Sequence, residues 1–307
     1  MNNKTTGGFP ADAFEKLASQ EDNYWWFRSR NKIISWTVSK FLSHPQNFLE
    51  IGCGTGYVMK AIRKIFPESK LYGDEYFEDG LKFAKKRIPS AEFRHIDATK
   101  MEDQNRFEAI GAFDVIEHIN NDVIAIRNCY KALKKDGFLF ITVPQHAWLW
   151  SSVDEEACHA RRYSKIELKN KLEKSGFRVL FSTSFTTILL PAMIISRMSF
   201  FNKKLSKNEF DIPQWINLCF EVIMNLEIFL LKLGIRYPFG GSLLMDDVSI
   251  DNLSGKDWAD KIISELEEMP NVTVKNRSQV FGYYDHNMLV MFERTGDHLE
   301  KKSEFTP

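Results

Sequence analysis

The sequence lacks most of the features that would take it out of the ordinary globular classes. It has no net charge, because 41 basic residues face 41 acidic ones. Nucleic-acid binding through bulk charge is therefore excluded, and no nucleic-acid partner is expected. It has few cysteines, and Cys53, Cys129, Cys158 and Cys219 show no paired spacing. That excludes a disulfide framework and points to reduced thiols in a cytoplasmic protein. The first residues contain no apolar core segment, so no signal peptide is expected. No run reaches the roughly 18 uninterrupted apolar residues that span a bilayer. The nearest, Trp215–Leu233, is broken by Glu221 and Glu227. No repeat or low-complexity tract is visible. Aromatics are plentiful, with 25 Phe, and 307 residues can bury one large core or two modest ones.

The chain is organised around Asn47–Tyr57, a short apolar run, an acid, and glycines at alternate positions 52, 54 and 56. A strand that ends in a glycine turn and opens a helix lets the backbone approach a ligand closely. Residues 1–10 read as a disordered lead. Residues 11–41 are helical by spacing and carry Trp25, Trp26 and Arg30. Adjacent tryptophans cannot share one helix face. Either one packs in a core while the other covers an edge, or the helix crosses the mouth of a site with Arg30 aimed at an anion.

Beyond the turn, strands over 48–51, 70–73, 92–96, 107–113 and 138–143 alternate with helices over 58–66, 79–87 and 122–133. This spacing predicts a parallel α/β sheet with its ligand at the carboxyl ends of the strands. Residues 144–163 read as a long functional loop. A helix over 164–175 and a strand over 177–183 follow. Two apolar helices, 186–201 and 215–233, are joined by the basic link Asn202–Asn208. They form either a helical hairpin over a sheet edge or an amphipathic face for peripheral membrane contact.

The glycines do not fit a dinucleotide site, which wants G-x-G-x-x-G. The third glycine comes one place early, and Glu50 precedes the first by two. Glu75 ends the second strand, where a carboxylate can take both ribose hydroxyls, with Asp74 as the fallback. Asp97 ends the third strand, where it can accept from an adenine amine. The set Glu50–Gly56, Gly73-Asp74-Glu75, Ile96-Asp97-Ala98 and Asp114-Val115-Ile116-Glu117-His118 resembles the class I S-adenosylmethionine-dependent methyltransferases. The pair Asp74-Glu75 and the run Lys135-Asp136-Gly137 depart mildly from that pattern. The resemblance implies a Rossmann-like seven-stranded sheet with flanking helices and an antiparallel last strand, Ser242–Asp246 or, with stronger β character, Asn287–Glu293. It implies S-adenosylmethionine as cofactor, bound by Arg30, Glu50, Gly52, Cys53, Gly54, Thr55, Gly56, Glu75, Asp97, Ala98 and Asp114.

The resemblance extends to Tyr24–Arg30 and to Trp148–Tyr163, which look like a bacterial subgroup found with glycan or lipid-linked sugar assembly. An acceptor that is small, or lipid- or glycan-linked, is expected, with Trp26, Trp150, Arg161 and Arg162 against it. An oxygen acceptor needs a base. His118 is the first candidate and Glu117, His159 and Tyr163 are the others, although His118 can equally be a capping or carbonyl-bonded residue. Asp114, Glu117 and His118 also resemble a metal set of quinone-pathway O-methyltransferases. Spacing supplies no further ligands, so no metal is expected.

Residues 240–299 resemble an interior piece of the sarcosine oxidase large subunit, through Gly240-Gly241-Ser242-Leu243-Leu244, Leu266–Val274 and Val280–Asn287. The expected organisation is a methyltransferase domain over 11–245 with an apolar helical insertion at 185–235, a sarcosine-oxidase-like α/β appendage over 246–299, and a tail to 307. Three readings follow: a methyltransferase, a cofactor-binding protein that has lost catalysis because of a chimeric C-terminus, and a flavin oxidoreductase fragment. The missing dinucleotide turn speaks against the third.

Overall fold

Short apolar runs that end in small or acidic residues build the strands, and the segments between them wind into helices that cover both faces. The computed structural model describes residues 11–197, 212–249, 278–284 and 288–293. The expected lead over 1–10, the link Asn202–Asn208 and the tail over 300–307 lie outside them. The chain divides into two compact units, 1–251 and 252–307.

In the first unit the order is α1 (Ala11–Gln20), α2 (Trp25–Phe41), β1 (Asn47–Ile51), α3 (Tyr57–Ile65), β2 (Lys70–Glu75), α4 (Glu78–Arg87), β3 (Glu92–His95), β4 (Phe107–Phe113), α5 (Asp122–Ala132) and β5 (Leu133–Pro144). Then follow α6 (Ser152–Glu156), α7 (Lys165–Glu173), β6 (Phe177–Phe185), α8 (Leu190–Arg197), α9 (Gln214–Lys232) and β7 (Ser242–Ser249). The seven strands form one sheet in the order β3-β2-β1-β4-β5-β7-β6. The first five pair in parallel, and β7 is antiparallel to both β5 and β6. This is the Rossmann-like sheet that the resemblance implies.

Of the two candidates for the last strand, Ser242–Asp246 is the one in this sheet, extended to Ser249. The rival segment pairs elsewhere. Met288–Glu293 forms an antiparallel hairpin with Ser278–Tyr284 in the second unit. The closing strand is therefore present, which removes the ground for expecting a site that lacks it. Strand β5 also begins earlier than predicted, at Leu133, across a register shift against β4.

Each sheet face has its own core. Leu49, Ile110, Leu139 and Met245 pack on the side of α5 and α7, while Phe48, Met59, Leu71 and Phe140 pack under α2, α3 and α4. Burying a side chain of this size contributes about 1.5–3 kcal/mol each. A third cluster joins Trp25, Phe181 and Leu244 to Met224, Ile228 and Leu231 of α9. The tryptophan pair thus divides: Trp25 is buried and meets Phe220 edge-on, while Trp26 lies at the rim.

The two acids that interrupt the apolar run of α9 seat it on the fold. Glu221 accepts from Arg28 at 2.5 Å and from Lys32 at 2.8 Å, and these partners hold its carboxyl down at about 2. Glu227 accepts from the backbone N–H of Thr187 and Ile188 at 2.8 and 2.9 Å. With 19 residues, α9 is long and apolar enough to cross a membrane by length and composition alone. Here one of its faces lies on α2.

Candidate active site

The turn after β1 bends sharply because Gly52, Gly54 and Gly56 all have positive φ, at 59, 51 and 75°. Two of them are also short of room. A Cβ on Gly52 would meet Val115 at 2.5 Å, and one on Gly56 would meet Ala84 at 3.2 Å. Gly54 differs, since a Cβ there would point into open space. That is the arrangement of a cradle kept clear for a ligand.

Side chains from β2, from α4 and from the turn after α1 lock the glycines in place. The Gly54 N–H donates to Glu75 Oε2 at 2.8 Å, and Phe77 N–H donates to Oε1 at 3.0 Å. Burial raises the Glu75 carboxyl above the usual range. Thr55 Oγ1 donates to Glu21 at 2.6 Å, and Arg87 bridges Glu21 at 2.7 Å and Thr55 Oγ1 at 2.6 Å. Cys53 is buried, which raises its thiol, and its N–H donates to Asp74 O at 3.0 Å. Asp74 itself turns away from the cradle into a bidentate pair with Arg94 at 2.6 and 2.7 Å.

Glu50 is buried beneath the turn, and burial pushes its carboxyl up to about 8 against the pull of Arg30. Its Oε2 has no hydrogen-bond partner among the described residues. A cationic ammonium at this point would satisfy it. At the end of β3, Asp97 Oδ1 caps the next turn through Thr99 N at 2.9 Å and Thr99 Oγ1 at 2.7 Å. Ala98 O accepts from Asn128 Nδ2 at 3.0 Å. The open cradle, the orphaned acid and these strand-end carboxylates fit an adenosyl sulfonium.

The second half of the site lies beyond β4. Asp114, at φ 55°, pairs with Arg30, whose Nη2 also donates to Phe113 O at 2.6 Å. The anion that Arg30 meets is thus a carboxylate of the protein itself. The Arg30 guanidinium stands 5.3 Å from the Trp26 ring. Glu117 is fully buried and neither of its oxygens has a partner among the described residues. Burial, reinforced by Asp114, raises its carboxyl well above the usual range. The His118 and His159 rings meet edge to face with centroids 4.8 Å apart. Partial burial of its imidazole and the neighbouring His159 press His118 down to about 4, so it is neutral across the physiological range.

Burial and partners remove three residues from the set proposed for chemistry or acceptor contact. Tyr163 is buried and donates to Asp122 Oδ2 at 2.6 Å, and burial with that bond raises its hydroxyl far beyond a base's range. Arg161 pairs with the same Asp122 at 2.8 Å and donates to Asn120 O at 3.0 Å. Arg162 is buried against Asp154 at 2.6 Å and Gln145 O at 3.0 Å. All three hold the 144–163 segment in place. Trp150 remains on the surface at 39% exposure, available to a ligand.

The sequence singled out neither Asp154 as an organiser nor Glu21 and Arg87 as locks. Asp154 is buried and holds His159 Nδ1 at 2.9 Å and Arg162, with its own carboxyl held at about 2 by those partners against burial. It also forms a capping box with Ser151. A serine three residues before an acid was the visible signal. Glu21 and Arg87 act across sequence gaps that no local pattern reports.

A family model described as a methyltransferase domain matches residues 20–181, just over half of the chain. The chain is 26% identical over 165 residues to a "Probable S-adenosylmethionine-dependent methyltransferase" of Mycolicibacterium smegmatis, covering 52% of this chain and 61% of that protein. It therefore spans less than two thirds of that relative. A separate stretch of 68 residues is 40% identical to sarcosine oxidase subunit alpha of Rhizobium meliloti, covering 22% of this chain and 7% of that one. Among solved structures, a complex of a methyltransferase with the Haloferax volcanii Trm112 methyltransferase activator shares the fold. There the TM-score is 0.53 at 13% identity, over 78% of this chain and 97% of the other.

Proposed function

This chain belongs to the methyltransferase-domain family, and from that premise we propose that it moves a methyl group from S-adenosylmethionine to a small, or lipid- or glycan-linked, acceptor. The observation that carries the reading is the Gly54 cradle, open where a Cβ would stand and braced by Glu75. S-adenosylmethionine, when bound, supplies a methyl already activated on a sulfonium sulfur. The protein's work is to position, orient and exclude water. In this reading Glu75 takes the ribose hydroxyls, Asp97 and Ala98 the adenine, and Glu50 the ammonium. Asp114 closes the end of β4, and Arg30 acts through it rather than on the ligand. Trp26 and Trp150 line the acceptor side.

A hydroxyl acceptor must lose its proton as the new bond forms. His159 is the base in this reading, since Asp154 on Nδ1 fixes its tautomer and leaves Nε2 to take the proton. His118, pressed down to about 4, serves as its neighbour. The Glu117 carboxyl, whose ionisation burial disfavours, lies beside the pair.

The outer face of α9 favours an acceptor met at a lipid surface. Trp215, Leu218, Val222, Leu226, Phe229 and Leu233 recur every three or four residues and are each more than half exposed. Lys203, Lys204 and Lys207 stand in the sequence between α8 and α9, and Lys232 and Arg236 stand at its far end. An apolar stripe in a stretch of sequence rich in lysine suits an anionic bilayer. The test is transfer of labelled methyl from S-adenosylmethionine to fractionated lipids and glycans, with and without anionic vesicles. Label should enter a lipid-linked or glycan fraction, and vesicles should raise the rate. Label in no fraction would contradict methyl transfer. A rate indifferent to vesicles would contradict the lipid-surface reading alone.

A further inference from the structure

We propose that Glu117, His118 and His159 form a binding site for one divalent metal ion of the zinc class. One donor atom from each lies within 4.8 Å of the other two. Glu117 comes from the short helical turn after β4, and His159 comes from the segment after α6. The Ala160 N–H donates to Glu117 O at 2.9 Å and ties the two segments together. The set that spacing alone suggested, with Asp114, is not assembled, because the Asp114 carboxylate is committed to Arg30.

Two features point to a ligand here rather than to a chance grouping. Glu117 is 0% exposed and leaves both oxygens without hydrogen bonds among the described residues. An unsatisfied buried polar group destabilises the fold, and a cation between the carboxylate and the imidazoles would remove that cost. The histidines are also backed as metal-bound imidazoles usually are. Asp154 Oδ1 holds His159 Nδ1 at 2.9 Å, which leaves Nε2 for an ion. Asp154 is itself anchored by Arg162 at 2.6 Å. His118 bonds through its ring to the backbone of Cys158, and a ring nitrogen held by a backbone carbonyl directs the other outward. His118 also reaches solvent, which gives an ion a way in.

Two imidazoles and one carboxylate select zinc or cobalt over calcium, magnesium or manganese, which prefer oxygen. Donors in a tetrahedral zinc shell stand roughly 3.4 Å apart, so the rings swing inward on binding. Three protein ligands leave a fourth position open to water or an acceptor oxygen; with an ion bound, His159 Nε2 would be a ligand rather than the base, and the ion would instead ease loss of the acceptor proton. Only that last consequence rests on the methyl-transfer reading. The binding itself does not.

The test is titration of the metal-free full chain with Zn²⁺ by calorimetry and with Co²⁺ by visible absorption, without cofactor. One ion should bind per chain, with Co²⁺ bands of a low-symmetry nitrogen and oxygen site. His159→Asn and Glu117→Gln should each weaken binding by more than about tenfold, and Asp154→Asn by about tenfold. Circular dichroism checks that each variant folds, and His159→Asn alone suffices if Glu117→Gln does not. Cys158→Ser, which removes an exposed neighbouring thiol, should leave binding intact. Absence of binding, binding indifferent to His159→Asn, or binding abolished by Cys158→Ser would overturn the proposal. Methyl transfer without metal binding would overturn it while leaving the functional reading intact.

Discussion

Asp74 and Glu75 are neighbours in sequence with opposite surroundings. Adjacent strand residues face opposite sides, and β2 ends so that Asp74 meets Arg94 while Glu75 reaches the glycine turn. The two acids are therefore expected to fail differently. Glu75→Ala should weaken S-adenosylmethionine binding by about a hundredfold, or roughly 2.7 kcal/mol. Asp74→Ala should leave affinity within about twofold but cost roughly 2–3 kcal/mol of stability, discounted from a fully buried pair because Arg94 is part-exposed. Calorimetric titration and thermal melting of the two variants check this, and the reverse pattern would contradict it. The glycines, Glu50, Glu75 and Asp97 were legible because strand ends and turn residues are local signals. Arg161, Arg162 and Tyr163 were not. A sequence shows their charge and hydroxyl, but the Asp122 that holds Arg161 and Tyr163 lies some 40 residues upstream, and Arg162 is held by a nearer acid that no pattern marked as its partner.

At the scale of elements, β7 is the strand that sequence reasoning found hardest. Its polar residues weaken its β character, yet it lies between β5 and β6 with Asp246 and Asp247 fully buried. Neither carboxyl has a hydrogen-bond partner among the described residues. Burial pushes Asp246 up to about 8, against the pull of Lys40 and Arg236. In the unfolded chain the same group ionises near pH 4. Folding must then retain a proton on Asp246 between those values, so the cost of burying it grows as pH rises from about 4 to 8. Asp246→Asn should raise the melting temperature, and by more at pH 8 than at pH 5. The difference should be at most about 1.4 kcal/mol per pH unit. An equal gain at both pH values, or a loss, would contradict the assignment. The parallel strands and their helices were legible because each buried run is bounded by glycine, proline or acid. The seating of α9 was not, since it depends on Arg28 and Lys32 meeting an acid nearly two hundred residues away.

For the whole molecule, the sheet of the first unit is complete at Ser249, and the sarcosine-oxidase-like resemblance starts at Gly240, two residues before its last strand. The sequence that closes the methyltransferase sheet is thus also the sequence where the second resemblance starts. The reading in which a chimeric end costs catalysis therefore has no basis in the sheet, and the cradle carries the function. Its most direct test is calorimetric titration of S-adenosylmethionine into the full chain and into its Gly54→Val variant, with circular dichroism to confirm folding. The wild type should bind one cofactor per chain, and Gly54→Val should weaken binding by at least about a hundredfold, because a side chain there fills the open space and strains a positive φ. No binding by the wild type at millimolar cofactor, or equal binding by the folded variant, would contradict it.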